Sequence, residues 1–257
     1  MTAAETHVSI TFLDGEGAVV VRFTNAESST DSECRVPAEP GGNSFVWDLR
    51  YPGPLELSDD VVTAGVLTGP IVAPGEYTVR LDVDEHTQEA SFQVLMDPRV
   101  HAEDAALQGQ FELSRQIRDK ISEAHAGVLK LRRIRHQLDE WAKTARTDAG
   151  AALLAGAAGL ISEKLASLEW PPVQPKARTP QDRNYMAAGL NAKLAELYAV
   201  VAAADAAPTQ QSYELFEDLS ARVGKALSAI QDEVETDVAA FNALVDGSGL
   251  GAVVISR

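Results

Sequence analysis

Residues 104–147 restrict the fold more than any other stretch. They contain no proline and only two glycines, Gly109 and Gly127. A stripe runs through Leu107, Phe111, Ser114, Ile117, Ile121, Ala124, Val128, Leu131, Arg135, Leu138, Trp141 and Ala145. Its steps are mostly three and four residues, which places one side chain per turn on one face of an α-helix. Such a helix is about 65 Å long. That is too long to be buried in one compact globule, so other helices are expected to lie along it.

The sequence after it supplies them. Ala149 to Leu168 reads as a second, alanine-rich helix carrying Leu153, Leu154, Leu160, Ile161, Leu165 and Leu168. Gly150, Gly156 and Gly159 in it are expected to allow close helix packing. Residues 169–183 contain four prolines and cannot be helical throughout. Tyr185 to Ala204 is a third helix, with Met186, Leu190, Leu194, Leu197 and Val201 on one face. Asp205 to Thr209 turns, with Thr209 a natural N-cap. A fourth helix runs from Tyr213 through Phe216, Leu219, Val223, Leu227, Ile230, Val234, Val238, Phe241 and Val245 to Asp246-Gly247. Two arrangements satisfy these lengths. One has three rods with the middle one interrupted by the prolines, and the other is a four-helix bundle.

Residues 1–96 have a different period. Val8 to Leu13 and Ala18 to Phe23 alternate across Asp14-Gly15-Glu16-Gly17, which reads as a hairpin. Residues 25–42 form a polar loop with one short strand near Cys34. Asn43 to Arg50 reads as a third strand. Glu76 to Val83, with Tyr77, Val79, Leu81 and Val83 on one face, and Glu89 to Leu95 complete the set. Short strands at this spacing suggest an antiparallel sandwich. The composition switches at Met96-Asp97-Pro98-Arg99. The expectation is a two-domain α+β chain. An Ig-like antiparallel β-sandwich spans 1–96, an elongated helical bundle spans 100–247, and an extended tail spans 248–257.

The charge balance narrows the partners. With 38 acidic and 22 basic side chains the net charge is −16, which disfavours nucleic acid and anionic membranes. One cysteine excludes an intrachain disulfide and leaves the compartment open. The first residues show no basic region followed by an apolar run, so no signal peptide is read. Ala149 to Ile161, the most apolar stretch, is too short to span a bilayer.

No catalytic constellation is legible. His7, His86, His101, His125 and His136 include no pair at metal-ligand spacing, and His125 and His136 stand about 16 Å apart along one helix. Asp82, Asp84, Glu85 and His86 resemble a calcium loop only superficially, because the glycine and the terminal glutamate are missing. They read as a solvated hairpin turn. Cys34 has no identifiable base. No metal, cofactor or catalytic residue is therefore assigned. Two stretches stand out as candidate interaction surfaces. In Trp47-Asp48-Leu49-Arg50-Tyr51, strand geometry puts Trp47 and Tyr51 on one side and Asp48 and Arg50 on the other. In the basic cluster from Lys130 to His136, Arg132, Arg133 and His136 share a helix face and read as solvated beside Asp139 and Glu140.

Several strings resemble a known family. GGNSFVWDLRYPGPLEL, GPIVAPGEYTVRLDVD, VLMDPRV and LQGQFELSRQIRDKISEAH, followed by NYMAAGLNAKLAELYAVVAAADAAPTQQSYELFEDLSARV and FNALV, are similar to the C-terminal region of bacterial sialidase-like, sortilin-type β-propeller proteins. The likeness spans roughly residues 8 to 250. It implies an Ig-like module of the flagellar hook-cap type followed by a helical segment, in a periplasmic or secreted parent. The family's glycosyl hydrolase label attaches to the propeller, whose S-x-D-x-G-x-T-W box is not found here. The resemblance thus implies a non-catalytic accessory or scaffold module. The propeller or another protein is its partner, and self-association of its helices is a further expectation. The alternative is a piece of a glycosyl hydrolase whose active site lies on the propeller.

Overall fold

A computed structural model describes residues 6–26, 35–57, 67–145 and 152–246. The strand near Cys34, the start of the second predicted helix and the predicted tail lie outside these residues. The chain is mixed α+β: one four-stranded antiparallel sheet and a set of helices. Two compact units interleave along the sequence. The first takes residues 1–53, 68–115 and 202–208, and the second takes 54–67, 116–201 and 209–257. Compactness therefore divides the chain differently from composition, whose switch at 96–99 separates strands from helices.

In the first unit β1 (Val8–Leu13), β2 (Val19–Thr24), β3 (Gly75–Val83) and β4 (His86–Val94) form a sheet in the order β2-β1-β3-β4. The register pairs Ile10 with Phe23 and Leu81, and Phe12 with Val21 and Val79. Because side chains alternate across a strand, these residues share one face with Tyr77 and Phe92. The opposite face is polar. There Ser9 donates to Asp82 (3.3 Å), Arg22 to Ser9 (3.0 Å), Thr87 to Asp82 (2.7 Å) and Arg80 to Glu89 (2.6 Å). Asp84 closes the β3–β4 hairpin at φ 49°, and its carboxylate accepts from the His7 amide at 2.9 Å.

Among the described residues there is one sheet. Its apolar face is covered by irregular chain instead of a second sheet, and the strand expected over Asn43–Arg50 does not form. That segment makes a single bridge, Arg50 to Ile71, secured by Tyr51 N–H to Pro70 O (2.9 Å) and Val72 N–H to Leu49 O (2.8 Å). The physical reason is local. Leu49 sits at φ 61°, outside the extended region, so the alternation seen in the sequence stops there. Phe45 and Trp47 still point to the sheet while Val46 is 87% exposed. At Gly69 a Cβ would lie 1.7 Å from the Tyr51 carbonyl oxygen, so only glycine permits this crossing of backbones.

The second unit is helical. It holds α1 (Asp104–Ala145) from residue 116 onward, α2 (Ala152–Leu168), α3 (Leu190–Val201), α4 (Gln210–Glu233), a π-turn (Val234–Val238) and α5 (Ala239–Asp246). Ile117, Ile121, Ala124, Val128, Leu131, Ile134 and Leu138 of α1 are all buried. The core line passes between residues 134 and 135. Ile134 goes inward and Arg135 turns to the flank, as Ala142 replaces Trp141 two turns later. Leu131, Ile134 and Leu138 share a core with Ala158 and Leu165 of α2 and with Ile230, Val234, Val238 and Phe241. Trp141 meets Phe241 edge to face at 5.0 Å. α3 packs on α4. Thr209 caps α4 as expected, accepting from the Ser212 amide at 3.2 Å. Gly156 and Gly159 face open space, so they do not bring helices together as the sequence suggested.

Candidate functional site

The aromatic segment of the sheet unit holds its covering layer in place. The Trp47 ring stacks on Phe12 (4.2 Å between centroids, 23°) and meets Tyr77 and Phe92 edge-on. Its Nε1 donates to Arg50 O at 3.0 Å. Asp48 accepts from the Arg50 amide at 3.1 Å, and the Arg50 guanidinium donates to Gly69 O at 2.9 Å. Tyr51 tilts against Phe111 of α1 at 5.2 Å. Tyr77 donates to Ala73 O at 2.7 Å, and burial, with Tyr51 and Asp14 nearby, pushes its phenol up to about 12. Trp47, Asp48, Arg50 and Tyr51 are thus brought together around one loop crossing.

The basic cluster of α1 is divided. Arg132 and Arg135 turn to Glu169, a carboxylate only 5% exposed that immediately precedes the Trp170–Pro171 bond. The Arg132 Nε donates to one oxygen at 2.6 Å and the Arg135 Nη1 to the other at 3.2 Å. Arg133 and His136 are exposed. Two guanidiniums on one buried carboxylate make a charge-assisted joint between α1 and the end of α2. The sequence did not single out Glu169. Its signal was the presence of Arg135 in an otherwise apolar stripe, which required a counter-charge.

His125 forms a second joint. It is 2% exposed, with Nδ1 2.6 Å from Leu55 O and Nε2 3.1 Å from the Asn191 side-chain nitrogen. A carbonyl oxygen only accepts, so Nδ1 carries the proton and Nε2 accepts from the Asn191 amide. Ser122, one turn earlier, accepts from the Leu55 amide at 3.0 Å. The helix thereby pins an extended segment whose Leu57 enters a small core with Val128 and Val173. A third cluster lies at the π-turn. Lys164 bridges Glu233 and Asp237 at 2.7 Å each. Burial raises the Glu233 carboxyl, opposed by Lys164, and Asp237 raises it further. Asp237 itself is held low, first by Lys164. One Glu233 oxygen is buried without a hydrogen-bond partner.

A cleft of about 410 Å³ lies at one end of the apolar face, floored by Val8, Ile10, Leu81 and Val83 and walled by Val36 and Phe45, with Glu39 at its rim. β4 forms one edge of the sheet, and His86 to Ser91 are exposed along it. Among the described residues no group of three or more His, Cys, Asp or Glu side chains is placed to hold a metal ion. Nor is any helix among them long and apolar enough to cross a membrane. No protein-family model, curated protein or solved structure matches the chain.

Proposed function

We propose that the chain is a non-catalytic accessory or scaffold module that works through protein contacts. It resembles the tail of sialidase-like propeller proteins. The observation that carries this reading is the use to which buried polar groups are put. Glu169 is saturated by two arginines, His125 by a carbonyl and an amide, and Tyr77 by a carbonyl. Glu169 and His125 each hold one segment on another, and Tyr77 closes the turn four residues before it; a group so engaged is not poised to exchange a proton with a substrate. The resemblance adds an Ig-like module to the reading. On that view the four-stranded sheet is one layer of it, followed by an elongated helical domain as a separate body. A propeller is then the natural partner.

The alternative, a glycosyl hydrolase whose active site lies on a propeller, is favoured only by the same sequence strings. The test is direct. The purified chain is assayed against a panel of aryl glycosides, sialosides included. Rates indistinguishable from buffer are expected. Turnover that disappears on a single side-chain substitution overturns the reading.

A further inference from the structure

We infer that the edge of β4, unpaired among the described residues, pairs with β4 of a second copy of this chain, antiparallel about a two-fold axis at Ala90. A nine-residue edge strand presents a row of unpaired amides and carbonyls, and proteins usually blunt such edges with lysine, proline or a bulge. β4, His86-Thr87-Gln88-Glu89-Ala90-Ser91-Phe92-Gln93-Val94, has none of these. It carries one carboxylate, Glu89, already paired with Arg80 at 2.6 Å. In a chain with a net charge of −16 this is a nearly neutral strip.

The strand also selects its own register. Directly opposed residues in an antiparallel pair must share a face, so the axis passes through a residue. An axis at Glu89 would set two carboxylates opposite each other. An axis at Ala90 sets Glu89 against Ser91 and pairs the whole strand. The two-residue turn Asp84-Glu85 closes on Val83 and His86, which makes that pair the hydrogen-bonded one. Alternation then directs the amides of Thr87, Glu89, Ser91 and Gln93 to the open edge. Ala90 falls at a non-hydrogen-bonded position, where opposed side chains come closest, and it has the smallest side chain of the strand.

One strand pair buries less than the roughly 1,200 Å² of a stable interface, so the dimer is weak and reversible. The contact is independent of the accessory-module reading. Sedimentation velocity of the full chain between about 5 µM and about 500 µM, a range spanning weak association, should show the mass rising from 27.4 kDa toward twice that value. Ala90→Lys, which opposes like charges at the axis, should abolish the rise with the far-ultraviolet circular dichroism unchanged. Ser91→Lys places a cation opposite Glu89 of the other copy and should tighten association about three- to tenfold. A monomer throughout the range overturns the inference. So does association that a folded Ala90→Lys variant leaves intact, or that Ser91→Lys fails to strengthen.

Discussion

Glu233 is a carboxylate 7% exposed with only Lys164 to offset its burial, and it stands one turn from a second carboxylate, Asp237. Its folded pKa is raised, so its contribution to stability is complete below the unfolded value and is lost as pH rises through the folded one. At neutral pH the residue is therefore a cost. Glu233→Gln keeps an oxygen for Lys164 and removes the charge, and should stabilise the protein by about 1 kcal/mol near pH 7. The gain should shrink toward zero as pH falls below the ordinary glutamate range, where the native side chain is neutral in both states. Denaturant midpoints at neutral and acid pH read this directly, and a variant less stable than the native chain at neutral pH contradicts it. Asp237 has the opposite sign: its stabilisation is present above its unfolded value and fades as pH falls. Neither residue stood out in the sequence, because on a uniform helical wheel a buried glutamate at a π-turn looks like one more surface charge. Arg135 was more telling, since a guanidinium in an apolar stripe has to find a carboxylate.

At the level of elements, legibility followed periodicity. β1, β2, β3 and β4 pack one face and leave the other polar, so each reads with a period of two, and all four strands were visible. The proline segment and the Thr209 cap marked helix limits, but α3 starts at Leu190 and not at the expected Tyr185, because the irregular chain of the proline segment continues to Gly189. The segment from Phe45 to Tyr51 also alternates, but against the sheet beneath it and not within a ladder. Its Leu49 at φ 61° leaves no trace in residue type. The same segment gives a sharp contrast in stability. Trp47 stacks on Phe12 and adjoins Tyr77 and Phe92, while its neighbour Val46 is 87% exposed. Trp47→Ala should cost about 2–4 kcal/mol, below the full range for a wholly buried ring because Trp47 is half-buried. Val46→Ala should cost less than about 0.5 kcal/mol. Equal losses, measured by chemical denaturation, would mean that the segment is not anchored through its tryptophan. The joint at His125 and the identity of the carboxylate that meets Arg135 were illegible for a related reason: each couples residues dozens apart in sequence, with no local pattern between them.

For the whole molecule the dominant electrostatic fact is the excess of 16 negative charges. Self-repulsion of that size opposes compaction and is screened by salt, whereas the ion pairs that salt also weakens are mostly exposed and individually worth little. Lys143 with Glu140 and Arg99 with Asp97 are of this kind. The pairs on Glu169 are sheltered by its burial and should be screened least. Repulsion should therefore win. Raising the salt from about 10 mM to about 0.5 M should increase the melting temperature by about 2–5 °C. A fall would mean that the ion pairs outweigh the net charge. Acid acts on the same balance. As pH moves down toward the isoelectric point near 4.7 the repulsion declines. Asp97, Glu140, Asp182 and Asp237 are all held below their ordinary values by hydrogen bonds. Each contributes stability above its unfolded pKa and loses it as pH falls through the folded one. The two slopes have opposite sign, so thermal stability should pass through a maximum on the acid side of neutrality, above the ordinary carboxyl range. High salt should flatten the limb above that maximum, where repulsion acts, more than the limb below it, where proton binding acts.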